Sequence, residues 1–142
     1  MWKELMRYVD EDAKFFEPAS LNEIEEIEAK FNLTLPNELI DFLEETNGAE
    51  VRGAGFSSTK YIMELNADFR TDEIFKETYM PLDCLLFIGG SGNGDHFGYS
   101  IVNGDIQNKD IYFWNHENDS REWIAPSLEQ LFIWWGEGII SV

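Results

Sequence analysis

The spacing of apolar residues changes at Asn47-Gly48, and that change constrains the fold more than any other feature of the chain. Upstream the period is helical. Trp2, Leu5, Met6 and Val9 fall at i, i+3, i+4 and i+7, one stripe of an amphipathic helix. Pro18 breaks the chain, and Ser20 with Glu23 then forms an S-x-x-E capping box that opens a second helix. Its apolar stripe is Ile24, Ile27 and Phe31, with Glu23, Glu25, Glu26 and Glu28 on the other sides. Pro36 sits where a third helix starts, a position at which its missing N–H costs nothing. Leu39, Phe42 and Leu43 should face the core, and Asn47-Gly48 supplies a left-handed stop.

Downstream the pieces are short and β-prone: Tyr61 to Leu65, Leu85 to Ile88, His96 to Val102 and Ile111 to Trp114. Asn103-Gly104 is a two-residue hairpin signal. Asp72 to Tyr79, with Ile74 and Phe75, reads as a helix crossing between strands. Ser127 and Gln130 make a second capping box, opening a last helix through Leu131, Phe132, Trp134 and Trp135 to Gly136. Helices, then a strand meander, then a closing helix predict an α+β fold. The expectation is one domain over residues 1–142, with a central, largely antiparallel sheet flanked by N-terminal helices and a C-terminal helix.

Charge excludes whole classes of partner. The 142 residues carry 28 acidic and 10 basic side chains, a formal net charge of −18, yet 44% are apolar and 15% aromatic. That much apolar surface offsets chain entropy, so disorder is not expected. Phosphate binding needs clustered Lys and Arg, and the chain has no such cluster, which excludes nucleic acid and anionic membrane as direct partners. The longest apolar runs fall far short of the ~20 residues that span a bilayer. The start lacks a basic stretch leading into an apolar segment, so the expected location is the cytoplasm. Cys84 is the single cysteine and lies in an apolar run, where a small buried hydrophobe is expected.

Two stretches could carry chemistry. Gly89-Gly90-Ser91-Gly92-Asn93-Gly94-Asp95 has the glycines of a phosphate loop, but no Lys follows and His96 to Ile101 reads as a strand. It also departs from G-x-S-x-G, since Asn93 takes the last glycine position and no helix follows. The favoured reading is a glycine-rich turn between strands, with Asp95 bonding nearby backbone N–H groups. His116-Glu117-Asn118-Asp119, with His96 and Asp95, could assemble imidazole and carboxylate ligands if the strand ends lie side by side. No HExxH or CxxC spacing supports a metal, and a polar turn with His116 held by a carboxylate is favoured. Trp123, Phe132, Trp134 and Trp135 should be core, with one of them left to face a partner. No catalytic set, metal or cofactor is expected.

Several segments together resemble the SUKH superfamily, the Smi/Knr-like cell-wall-assembly-regulator domain. They are Leu35-Pro36 through Leu39 to Leu43 and Asn47-Gly48; Pro81 to Gly89; Asn93-Gly94-Asp95-His96-Phe97-Gly98-Tyr99; Ile111 to Glu117; and Trp123 to Trp135. Trp114-Asn115-His116-Glu117 resembles the family's aromatic-Asp-His-Glu segment, with Asn115 in place of Asp. The resemblance implies a sheet flanked by helices and no enzymatic activity. It further implies an immunity protein that binds and neutralises the C-terminal domain of a cognate toxin, a basic RNase or DNase, in the manner of partners of LXG-type toxins. A regulatory scaffold for a cellular partner is the alternative, and a metal-dependent hydrolase using His96 and His116 is the third reading. The residues expected to touch a partner are Asp95, His96, His116, Glu117 and Asp119, clustered at one sheet end, together with the helix acids Glu25 and Glu28.

Overall fold

A computed structural model describes residues 1–142. The expected helix-first order holds. α1 (Trp2–Val9), α2 (Leu21–Phe31) and α3 (Asn37–Glu45) precede all but a two-residue strand, β1 (Lys14–Phe15). The α2 capping box forms in full: Ser20 Oγ accepts from the Glu23 N–H, and the Glu23 carboxylate accepts from the Ser20 N–H. α3 ends in extended backbone at Thr46, and the left-handed turn comes at Gly48, whose φ is 93°.

The remaining elements are β2 (Ala49–Val51), β3 (Ala54–Phe56), α4 (Thr59–Thr71), α5 (Glu73–Thr78), β4 (Leu85–Gly90), β5 (His96–Ser100), β6 (Ile111–Trp114), β7 (Arg121–Ala125) and α6 (Leu128–Gly136). The strands form one seven-stranded sheet in the order β1-β2-β3-β4-β5-β6-β7, and every neighbouring pair is antiparallel. Asn103 and Gly104 both take positive φ, 53° and 76°, in a turn flanked by the Val102–Asp105 bridge. That is the twist a two-residue hairpin turn requires.

The sheet is buried on both faces where it is longest. In β4, Leu86 and Ile88 join the main core with Trp2, Phe42, Phe132 and Trp135 under α1, α3 and α6. Leu85 and Phe87 point the other way, into a smaller core with Phe69 of α4, Leu82 and Trp114. β4 is therefore a continuous apolar run rather than an alternating one, as expected of a strand covered on both sides.

Three expectations need correction. Tyr61 to Leu65 is not a strand but part of α4. Ser58 Oγ caps that helix by accepting from the Tyr61 N–H, and its buried stripe is Ile62, Asn66 and Phe69, at i, i+4 and i+7. A polar residue in the middle of the stripe hides the period. Cys84 is exposed, because the continuously buried run of β4 begins only at Leu85. Finally, β1, β2, β3 and β7 were not expected; the first three span two or three residues, too few to show a period. Among the four clustered aromatics, Phe132 and Trp135 are buried. Trp123 is 48% exposed on the edge strand and packs edge-on against Trp134.

Candidate functional site

Antiparallel order brings three connections to one end of the sheet: the Arg52-Gly53 turn, the glycine-rich loop 91–95 and the loop 115–120. Gly92 lies against the Gly53 carbonyl. Asp95, His96, His116, Glu117 and Asp119 all lie at this end.

Most of these side chains are already engaged by the protein itself. Asp95 Oδ1 accepts from the His116 ring Nδ1 at 2.6 Å and from the His116 backbone N–H at 3.0 Å, joining the two loops. Burial pushes the Asp95 carboxyl up, but those two hydrogen bonds and the charge of His116 outweigh it and hold the group below its ordinary value. The His116 ring lies on Gly94, where φ is +105° and a Cβ would meet the imidazole. Glycine is thus required twice over at that position.

Asp119 accepts from Trp114 Nε1 (2.7 Å), the Met80 N–H (3.0 Å) and Arg121 Nη2 (2.9 Å). Burial raises its pKa, and these donors overcome it to leave a net lowering. His96 donates Nδ1–H to the Gly94 carbonyl at 2.9 Å, since a carbonyl can only accept. Its ring packs among Phe69, Phe87 and Trp114, and burial lowers its pKa. Glu117 is exposed.

Glu25 and Glu28 stand apart from this cluster on α2. Glu25 is exposed, whereas Glu28 Oε2 accepts from the Leu35 N–H at 2.8 Å and ties α2 to the segment before α3. Ser91 donates its hydroxyl to Asn93 Oδ1 and has no bond to either histidine. No three His, Cys, Asp or Glu side chains are arranged to hold a metal ion.

A feature the sequence did not reveal lies on the sheet face that α4 and α5 partly cover. Register places Lys14, Glu50, Gly55, Gly90, His96, Trp114 and Arg121 opposite one another, strand by strand. Directly opposed residues share a face. At His96 and Trp114 this row packs against the small core, but at Gly55 and Gly90 it carries no side chains. The result is an open bay of about 920 Å³ over β2 and β3, walled by Phe16, Tyr61 and His96. In both β2 and β3 the burial runs buried-exposed-buried, Ala49-Glu50-Val51 and Ala54-Gly55-Phe56, which turns Glu50 and Gly55 toward the bay.

The rest of the surface is acidic and largely unpaired. Five of the 28 acidic side chains, Glu45, Glu50, Glu64, Asp95 and Asp119, lie within ion-pairing distance of a cationic group. No helix is long and apolar enough to cross a membrane.

The family model SUKH_6, described as SMI1-KNR4 cell-wall, matches residues 21–132. No curated protein matches the chain. The matched segment runs from the first residue of α2 into α6 and takes in the Asp95–His116 junction and the part of the bay formed by Glu50, Gly55, Tyr61, Gly90 and His96, but not Lys14 or Phe16. Covering most of the chain, in an α+β domain built on one antiparallel sheet, this match establishes that the protein belongs to the SUKH_6 (SMI1-KNR4) family.

Proposed function

We propose that the protein is an immunity protein that binds and neutralises the C-terminal domain of a cognate toxin, a nuclease of the kind carried by LXG-type toxins, in the cytoplasm and without catalysing a reaction. Family membership supports an interaction role, and the observation that carries the finer reading is the acidic surface. A nuclease must hold phosphates in a basic cleft. A partner with net charge −18 and most of its carboxylates unpaired is suited to occupy such a cleft. Long-range attraction of this kind raises association rates by roughly 10–10³.

The test is growth of cells expressing the toxic domain encoded beside this gene, with and without the protein. Rescue together with copurification of the two chains supports the reading. So does an association rate that falls steeply as salt rises. No rescue and no complex would overturn it and favour a regulatory scaffold bound to a cellular partner, a reading to which the cell-wall description of the family lends support.

A further inference from the structure

We infer that the open bay seats an arginine side chain projecting from the partner protein, between Glu50 and His96 and over Gly55. The inference rests on the immunity reading and names the surface and the chemistry by which it would act.

The floor comes first. Gly55 and Gly90 are directly opposed on adjacent strands, so neither contributes a side chain to the base; the Gly55 half is open and the His96 ring covers the Gly90 half. A Cβ built on Gly55 meets no atom within 4 Å. Adjacent strands lie about 4.8 Å apart, so a group over Gly55 has the Glu50 column on one side and the Gly90 column on the other.

The walls then select the occupant. The His96 imidazole leans over Gly90: a Cβ there would lie 3.0 Å from its Cδ2 and 3.2 Å from its Nε2. Because Nδ1 carries the proton given to Gly94, Nε2 of the neutral ring presents a lone pair, and no donor in the protein bonds to it. Opposite it stands the Glu50 carboxylate, 58% exposed and held by a single 3.7 Å contact to Lys14. Exposed pairs of that kind contribute little, so Glu50 is free to change partner. Tyr61, half-exposed in the first turn of α4, offers an aromatic face at the rim.

Two acceptors, an aromatic face and a flat floor match a planar group with several N–H donors and a positive charge. Guanidinium is that group. An ammonium is a compact, strongly hydrated point charge and cannot lie flat on such a floor. The lining itself holds Asp10, Asp12 and Glu50 against Lys14 and Arg52, an excess of one carboxylate, on a chain whose net charge is −18.

The experiment measures the affinity of the full chain for the toxic domain encoded beside its gene. Gly55→Trp fills the bay from a strand position with room for a side chain. It should weaken binding by about 100-fold, the range of a lost hot spot, with its thermal unfolding unchanged. Gly55→Leu repeats the test with a smaller filler should the tryptophan perturb folding. Glu50→Gln should cost about tenfold. One arginine-to-alanine change in the toxic domain should reproduce the loss and combine non-additively with Glu50→Gln. Trp123→Ala, on the far edge strand, should bind as the wild type does.

Wild-type affinity in both folded Gly55 variants overturns the bay while leaving the immunity reading intact. Loss of binding in Trp123→Ala but not at Gly55 moves the interface to β7 and likewise overturns it. Failure of the wild-type protein to bind the domain at all sinks the immunity reading, and this inference with it.

Discussion

The side-chain amide of Asn66 in α4 takes the place of a neighbouring strand for Phe87 in β4. Its Oδ1 accepts from the Phe87 N–H at 2.8 Å, and its Nδ2 donates to the Phe87 carbonyl at 2.8 Å. β3 is short and pairs only with Gly89 and Gly90, while the Ser57 N–H reaches the Ile88 carbonyl. Phe87 would otherwise present two buried backbone groups with no partner on that side. Asn66 also donates to the Ile62 carbonyl, which fixes the amide against its own helix.

Asn66→Leu should therefore destabilise the protein by about 2–4 kcal/mol, since each buried polar group left unpaired costs roughly 1–3 kcal/mol. Asn66→Asp should be no better, because a carboxylate cannot donate to the Phe87 carbonyl. Urea unfolding monitored by circular dichroism reads both. A midpoint within error of wild type would show that β4 needs no support from α4. Since α4 carries Tyr61, a loosened helix should also widen the bay.

Gly98, in the centre of β5, obeys a different constraint. A Cβ there would collide with the Leu86 carbonyl and stand 2.9 Å from the Phe87 Cα, all of it backbone that cannot rotate away. Gly98→Ala should cost about 1–3 kcal/mol or more as overpacking. Gly55→Ala, in open space, should be neutral or stabilising by about 0.4–1 kcal/mol through the unfolded chain. Equal effects at the two positions would contradict the packing described for β4 and β5.

Acid should destabilise the protein in two stages. Burial lowers the pKa of His96 below its ordinary value of 6.5, so the unfolded chain takes up the proton first and stability falls as pH drops below about 6.5. Asp95 and Asp119 are also held below their ordinary values by their donors, so their contribution is present above about pH 4 and is lost below it. Protonating exposed carboxylates relieves self-repulsion over the same lower range, so the first stage is best read as a difference between wild type and His96→Gln. That difference should shrink between pH 7.5 and pH 5.5 in thermal unfolding; a constant difference would mean that the buried ring keeps its ordinary affinity for protons. His116→Ala removes two of the interactions opposing burial at Asp95 and should move the acid transition to higher pH.

What the sequence makes legible follows from length and period. α1, α2, α3 and α6 show an apolar stripe, a cap or both over eight residues or more, enough for a 3.6-residue repeat to stand out. The turn at Asn103-Gly104 rests on local chemistry and is readable, as is a carboxylate holding His116; that Asp95 supplies it, twenty-one residues away, is not. α4 was not, because Asn66 is polar yet buried, and its role depends on Phe87, twenty-one residues away. The bay was invisible for a related reason. It is made by glycines on two strands that only the register brings opposite each other, and strands of three residues announce no register. Cys84 was misplaced because an apolar run says that a strand is buried but not where its first buried residue falls.

The unpaired acid sets up the last prediction, which ties stability to function. Net charge of −18 on a domain with a radius of gyration of about 14–15 Å opposes compactness by self-repulsion. The Debye length falls from about 30 Å at 0.01 M salt to about 8 Å at 0.15 M, from roughly twice that radius to roughly half of it. Salt added over that range should raise the thermal midpoint by several degrees, because about 1 kcal/mol corresponds to roughly 3–6 °C for a chain of this size. The same screening should slow association with a basic partner, so the two quantities must move in opposite directions with salt. A midpoint that stays flat would mean that the carboxylates are spread too widely to repel. In that case the charge could not steer a partner either, and a salt-dependent association rate would have to come from the bay and its immediate rim.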